Sequence, residues 1–478
     1  MIKSICVVGG GSAGLTSAMI LKSRFPTMKV KIIKSDKIGI IGVGEASTEH
    51  WSYFLQFCSL DYLECLRETG ATFKYGVLFK DWMKHDYFNN LNSLITDTQA
   101  GQYSIAMAYT IAYDLKPEEY TDSLALQNKV YFQSVPTNQF NFNTFKLNEW
   151  LLKKCVERGI EIVDDDIEDI VVKDNKIIKL KGRQEHVADF FVDCTGFKRL
   201  LISKLGAKWQ SYKEYLPMNE AIAFPTKDTD EYPPYVTARA MKAGWMWRTP
   251  VRGRWGNGYV FDNRYINAEE AQKECEEYLG HKIKIASNIK FDAGSLDKPW
   301  QGNCIALGLS SSFVEPLEAT SIGFGINQCF LFIHMLLNYD QHIIDDYNED
   351  FQYLIENVRD YVIIHYMVDK KDSPFWKELK LNLPDSLKKN LAIWKNRLPM
   401  QIDFKSKYCL FYPNNYSLIL KEIGFFDKQK IKEEYEMLPK ELKKWCESKI
   451  KFQKQRLNDR SMWISHKSFL ESLTNESN

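Results

Sequence analysis

The stretch Ile5-Cys6-Val7-Val8-Gly9-Gly10-Gly11-Ser12-Ala13-Gly14 decides how this chain begins to fold. Ile5 to Val8 form a short apolar run of the kind that makes a buried parallel strand. Leu15 to Leu21, directly after the glycines, carry helical spacing, and Val30-Lys31-Ile32-Ile33 supply a second strand at the distance a strand–helix–strand unit needs. Read as G-x-G-x-x-G, Gly9 permits the tight turn and Gly11 lets the backbone approach a pyrophosphate. Gly14 lets the helix pack closely on the strand. Ser12 and Ala13 open the helix, whose first N–H groups are offered to the phosphates. The pattern predicts a dinucleotide-binding start. The acid that normally accepts from the ribose hydroxyls is replaced by Lys34, and Asp36, two positions on, is the candidate substitute. A plain turn role for Asp36 is the alternative.

Further along, Val187 to Asp193 read as a strand ending in Cys194-Thr195-Gly196, and Asn303 to Leu307 as another ending in Gly308. Strands that enter small-residue turns at such distances suggest a discontinuous site around one long cofactor. A second G-x-G-x-x-G for a nicotinamide nucleotide does not occur, so FAD is the expected cofactor and its electrons come from elsewhere.

The whole chain sets bounds on this reading. Its 478 residues, 45% hydrophobic and 26% charged, exclude a mainly disordered protein. Lys plus Arg number 63 against 62 Asp plus Glu, a net charge of +1 that supplies no field for nucleic acid or an anionic membrane. Ten cysteines without a CxxC pair give no zinc ribbon, and no metal site is expected. The first strand starts too early to leave room for a signal peptide. The longest apolar stretch, Ile322 to Leu337, is interrupted by Asn327, Gln328 and His334 and is too short to span a bilayer. A cytoplasmic protein is expected, and a homo-oligomer is compatible with the sequence. The 14% of aromatic residues suit a protein handling flat apolar molecules and suit a thick core equally well.

Several later segments occur in the order found in one family. Ile41-Gly42-Val43-Gly44-Glu45-Ala46-Ser47-Thr48 follows the second strand, and Leu78-Phe79-Lys80-Asp81-Trp82 lies beyond it. Gly244-Trp245-Met246-Trp247-Arg248-Thr249-Pro250 has the pattern GWxWxxP. Gly308-Leu309 precedes Phe313-Val314-Glu315-Pro316-Leu317-Glu318-Ala319-Thr320-Ser321, and His365-Tyr366 and Ser373-Pro374-Phe375-Trp376 close the series. From Ile5 to about Trp376 the chain resembles the flavin-dependent halogenases of the tryptophan-halogenase type.

That resemblance implies an α/β fold: a Rossmann-type, two-dinucleotide-fold FAD-binding body with an interleaved substrate sheet over residues 1–340. A mainly helical substrate-side region over 341–478 follows it. It implies an enzyme that uses FADH₂, O₂ and halide to form HOX and halogenate an electron-rich aromatic small molecule, with a separate flavin reductase as partner. Gly44, Glu45, Ala46, Gly308 and Ile322 join the glycine-rich turn in holding FAD. Thr320 and Ser321 present backbone donors to chloride, bromide or iodide. Lys80 holds and directs HOX, and Glu318 takes the proton from the ring intermediate. Trp245, Trp247 and Pro250 form a wall between flavin and substrate, the two indoles sharing a face because they stand two apart in a strand.

Departures from the family pattern are specific. The family's lysine usually stands directly before the Phe, where this chain has Leu78, with Lys80 two residues on. The family usually has Ser and Gly where this chain has Ala319 and Ser321, and the change is expected to favour a larger, more easily oxidised halide. A flavin monooxygenase that hydroxylates an aromatic substrate, and a non-catalytic flavin-binding protein, are the alternatives. Residues 377 to 460 are expected to be helical with proline interruptions, and Phe411, Tyr412 and Trp445 are possible cleft aromatics.

Overall fold

The structure, a computed structural model, describes residues 2–42, 45–90, 104–115, 122–131 and 139–475. Its α/β character is as expected, but its compact units do not follow chain order. Met1–Ala71, Phe142–Lys213 and Asp292–Glu356 form one; Thr72–Asn141, Glu214–Phe291 and Asn357–Asn478 form the other. Division at residue 340 therefore differs from the observed one, for two reasons. The strand Gly76–Lys80 pairs with Tyr235–Met241, which draws residues 72–141 into the second unit. The helix Gln341–His365 starts within the first unit, where Asn348 bonds both main-chain groups of Trp300 and Gln352 donates to the Leu296 and Asp297 carbonyls.

The first unit holds a six-stranded sheet in the order Trp300–Gln301, Cys304–Ala306, Phe190–Asp193, Ser4–Val8, Lys29–Lys34, Glu161–Asp164. All its pairings are parallel except the first. Ser4–Val8 lies inside the sheet and is buried from Ile5 onward, so its side chains are apolar on both faces. One face is covered by the helix Ser12–Arg24, buried from Gly14 to Leu21 because it packs on both Thr320–Met335 and Thr144–Glu157. On the other face Cys6, Val8, Ile33 and Phe191 meet Ile170, Ile177 and Leu180 of a small antiparallel sheet, with Leu201, Ile202 and Leu205 filling in. The segment Phe145–Leu152 lies in the helix Thr144–Glu157. That helix starts after Asn143, whose side chain accepts from the amides of Phe145 and Lys146.

In the second unit a seven-stranded sheet runs Ser287–Lys290, Glu220–Lys227, Arg254–Phe261, Gly244–Val251, Tyr235–Met241, Gly76–Lys80, Tyr87–Asn90. The helix Ala268–Leu279 covers one face, packing Ala271 and Cys275 on Ile222, Met246 and Tyr259. Helices continue through the C-terminal region as expected, and four prolines mark helix starts there. Pro384 and Pro439 precede Asp385–Trp394 and Lys440–Asn458, and Pro374 and Pro413 are first residues of theirs. Ile105–Ala112 packs there against Lys428–Glu436 and Lys440–Asn458 around Ile431, Tyr435 and Cys446.

Most of the aromatic excess belongs to cores. Trp82 packs edge-on against Phe79, Tyr366 and Trp376, and its indole donates to the Ala238 carbonyl at 3.0 Å. Phe411 stacks on Tyr361 at 3.8 Å, so it lies in the core, and Trp445 is a surface residue beneath Lys449. All ten cysteines are free thiols. Among the described residues no helix is long and apolar enough to cross a membrane, and no group of three His, Cys, Asp or Glu could hold a metal ion.

Candidate functional site

In the first unit the quoted glycines make a turn that only small residues allow. Gly9 has φ +126°, and a Cβ there would stand 2.1 Å from the Cys194 carbonyl oxygen, on the neighbouring strand's exit. A Cβ on Gly14 would stand 1.9 Å from the Gly9 carbonyl, which is how closely helix and turn are packed. Gly11 is different. It has ordinary extended geometry, with φ −81°, and no protein atom within 4 Å of its notional Cβ. The turn is therefore tight on its protein side and open at Gly11. The helix that follows has no side-chain cap and no acid in its first turn, so its N–H groups and dipole face an anion without competition. This donor set and this opening fit the diphosphate of FAD.

Three further segments complete the same place. Gly308 packs on the helix start, where its Cβ would meet that of Ala13 at 2.6 Å, and Gly325 of the next helix lies behind Gly308. Asn148 donates to the Gly10 carbonyl at 2.9 Å and so fixes the peptide that precedes Gly11. Asp193, fully buried, accepts from Thr195 N–H, Thr195 O–H and Ser310 O–H through one oxygen, and from the Leu201 and Ile202 amides through the other. A single carboxylate thereby ties the turn after Phe190–Asp193 to the Gly308–Ser310 turn. Neither Asn148 nor Asp193 is apparent in the sequence as a site residue; an acid ending an apolar strand was the available signal for Asp193.

Of the other residues expected near the cofactor, Glu45 and Ala46 are buried, and the Glu45 carbonyl accepts from Phe142 N–H at 2.6 Å. Gly44 lies outside the described residues. Asp36 is exposed; its carboxylate pairs with Lys34 and its amide donates to Asp164 at 2.9 Å. A ribose hydroxyl would thus meet a carboxylate whose charge is already balanced.

The run around Glu318 ends in an unusual backbone. Ala319 has φ +55° and ψ +41°, left-handed for a residue with a side chain, and its amide donates to the Pro316 carbonyl at 3.0 Å. Holding a non-glycine residue there costs on the order of 1–3 kcal/mol, which the surrounding packing must offset. Thr320, Ser321 and Ile322 form the first turn of the 16-residue helix Thr320–Met335, which has neither a side-chain cap nor an acid in that turn. Their N–H groups are suited to an anion. Glu315 and Glu318, immediately before, are both buried.

In the second unit, register fixes which side chains share a face. Trp245 and Trp247 do, with ring centroids 6.1 Å apart. They stand opposite Ala240 and Ala238 on one neighbouring strand and Val260 and Gly258 on the other. A Cβ on Gly258 would lie 2.0 Å from the Trp247 ring, so the small residues leave the room the indole fills. Pro250 alternates to the opposite face, and the resemblance-based wall loses it. Its part is main-chain: past the end of the Tyr235–Met241 pairing, its carbonyl accepts from the Thr72 hydroxyl at 2.6 Å.

Lys80 ends the strand Gly76–Lys80, in register with Arg239, which faces Met246. That row points away from the row of Phe79, Ala238 and Trp247. Lys80 is also more than a third exposed and lies 3.7 Å from Asp86. Lys74, six residues earlier, is 1% exposed. Its amide donates to the Gln139 carbonyl at 3.0 Å, between a Phe73 amide held by His466 and a Tyr75 amide held by the Pro234 carbonyl. A fully buried ammonium is costly and calls for a reason, whereas a paired surface lysine does not. The signal was a lysine inside the apolar run Ala71 to Phe79.

The chain is similar to known proteins over most of its length. A family model described as tryptophan halogenase matches residues 4–437. The 7-chloro-L-tryptophan 6-halogenase of Kutzneria sp. (strain 744) is 31% identical over 464 residues, covering 87% of this chain and 89% of its own. The tryptophan 6-halogenase of Streptomyces toxytricini is 30% identical over 465 residues, covering 88% and 89%. The solved structure of the tryptophan C-6 flavin-dependent halogenase (chlorinase) of taromycin biosynthesis superposes with a TM-score of 0.90 at 25% identity, over 99% of this chain and 100% of that one.

Proposed function

The chain belongs to the tryptophan halogenase family, and from that premise we propose that it replaces a ring hydrogen of an indole, L-tryptophan being the first to test, with a halogen. As a flavin-dependent halogenase it acts on an aromatic substrate with flavin and halide, and reduced flavin comes from a separate reductase. When bound as FADH₂ the cofactor would supply the electrons that activate O₂, the oxidant that raises halide to HOX.

The chain's own residues would do the rest. The open backbone at Gly11 and the first N–H groups of Ser12–Arg24 hold the diphosphate, with Ala13, Gly9, Gly14 and Gly308 keeping the turn close. Thr320 and Ser321 offer amides to the halide. Ala319 and Ser321, where the family has Ser and Gly, support bromide or iodide over chloride. Glu318 accepts the proton that the ring loses as the carbon–halogen bond forms; the O–X bond breaks, the hydroxide so released takes up a proton, and the net products are the halogenated ring and water. Trp245 and Trp247, sharing one face, form an aromatic wall for the substrate. Ten cysteines without a disulfide support work in a reducing compartment, the cytoplasm.

Two lysines compete for the role of directing HOX, and burial carries the choice. An ammonium that orients HOX by hydrogen bonding must be shielded from water, which would otherwise take its place. Lys74 is shielded, while the Lys80 side chain is more than a third exposed beside Asp86. Removing a positioned proton donor typically costs about 100-fold or more in rate. Lys74→Ala should therefore lose tryptophan halogenation by at least about 100-fold, and Lys80→Ala should keep it. Product yields measured by mass spectrometry check this; loss in Lys80→Ala alone would return the role to Lys80.

A further inference from the structure

We propose that His466 is the positioning residue for Lys74, its neutral ring fixing the peptide from which the ammonium is presented; the proposal rests on the reading of Lys74 given above. Three consecutive amides set the backbone at that point: Phe73 donates to His466 Nε2 at 3.2 Å, Lys74 to the Gln139 carbonyl at 3.0 Å, and Tyr75 to the Pro234 carbonyl at 2.6 Å. The first of these is the one made by a side chain. The partners of His466 also determine its protonation. Nδ1 stands 2.6 Å from the Tyr232 carbonyl, which can only accept, and Nε2 faces an amide, which can only donate. Only the tautomer with its proton on Nδ1 satisfies both. A second proton would set N–H against N–H, and burial pushes the His466 pKa down to about 4.

The ring itself is rigidly held. His466 begins the helix His466–Asn475, and its amide donates to the Asn128 carbonyl at 2.9 Å. The strand Trp463–Ser465 just before it pairs with Lys129–Tyr131. Phe73 lies against both the His466 ring and Phe469, each with centroids 5.6 Å away. A lysine side chain has four rotatable bonds, and a small shift of its peptide is multiplied at the ammonium. The imidazole holds that peptide without adding a positive charge to the segment that carries the lysine.

Two substitutions separate positioning from mere packing. Gln can reproduce the Nε2 acceptor for Phe73, and Asn can reproduce the Nδ1 donor for Tyr232 but not that acceptor. Full-length FAD-loaded protein would be given a flavin reductase, NADH, bromide and L-tryptophan. Bromotryptophan formed, free hypobromous acid trapped by a dimedone, and O₂ consumed would be read together. His466→Asn should lower bromotryptophan per O₂ by about tenfold, with the difference appearing as free hypobromous acid or peroxide, and His466→Gln should restore most of it. His466→Leu, which fills the space with neither bond, should match Asn and replaces it if Asn does not fold. Equal ratios for the Gln and Asn (or Leu) variants, or a wild-type ratio in the latter, would overturn the proposal. Lys74→Ala in the same assay keeps the two ideas apart. If it retains the wild-type ratio, the lysine reading fails; if it loses the ratio while His466→Asn retains it, the positioning role alone fails.

Discussion

Adding one methyl group to the glycine-rich turn should have opposite consequences at two positions three residues apart. At Gly14 the new Cβ would stand 1.9 Å from the Gly9 carbonyl oxygen, a backbone atom that cannot swing aside, and 3.5 Å from the Cys194 side chain. Overpacking of this kind costs about 1–3 kcal/mol, so Gly14→Ala should destabilise the protein even without cofactor. At Gly11 the backbone is extended and nothing lies within 4 Å. Replacing glycine at such a compatible position stabilises by about 0.4–1 kcal/mol through the unfolded chain. Losing glycine at a helix N-cap offsets this by a similar amount. Gly11→Ala should therefore leave the melting of the cofactor-free protein nearly unchanged. Its methyl would instead occupy the opening a diphosphate needs, and FAD affinity should fall at least about tenfold, which corresponds to about 1.4 kcal/mol. Thermal melting of the stripped protein and flavin-fluorescence titration measure the two effects separately. If Gly11→Ala bound FAD within a factor of two of wild type, or melted as early as Gly14→Ala, the opening would not be the diphosphate site.

Asp193 and His466 give two further tests. Asp193→Ala leaves five donors without their acceptor in the interior and should cost at least about 3 kcal/mol, read as a lower denaturation midpoint; an unchanged midpoint would show that the turns hold without it. His466 has a folded-state pKa of about 4, below its ordinary 6.5, so the unfolded chain takes up the proton first as pH falls. Its contribution is complete above pH 6.5 and is lost progressively down to pH 4, to a total of about 3 kcal/mol. Urea unfolding should show wild type losing that much more stability over this interval than His466→Gln, and parallel losses would contradict the buried neutral ring.

How far the sequence could be read depended on the range of the interaction. The strand–turn–helix beginning was legible because it is local: an apolar run, glycines at fixed spacing and a helical pattern stand within 30 residues, and the strand Ser4–Val8 and helix Ser12–Arg24 follow from them. Trp245 and Trp247 were legible as a same-face pair for the same reason, alternation within one strand. Lys80 shows where this stops. Its face relative to the indoles depends on the pairings of Gly76–Lys80 and Gly244–Val251 with Tyr235–Met241, and register between distant segments is not written in any one of them. Pro250 was placed on the wall although alternation puts it on the other face. The division of the chain was hidden likewise, since residues 72–141 join a sheet whose other strands lie beyond residue 219. The roles of Asn148 and His466 require a contact across more than a hundred residues, and no local pattern announces one.

The measurement that bears most directly on the function is the mass of the product formed from L-tryptophan by the FAD-loaded protein with a flavin reductase, NADH, O₂ and bromide. One ring hydrogen should be exchanged for bromine, visible in the isotope doublet and absent when bromide or reductase is left out. A product that gained oxygen alone would contradict it and identify a hydroxylating flavin enzyme on the same fold.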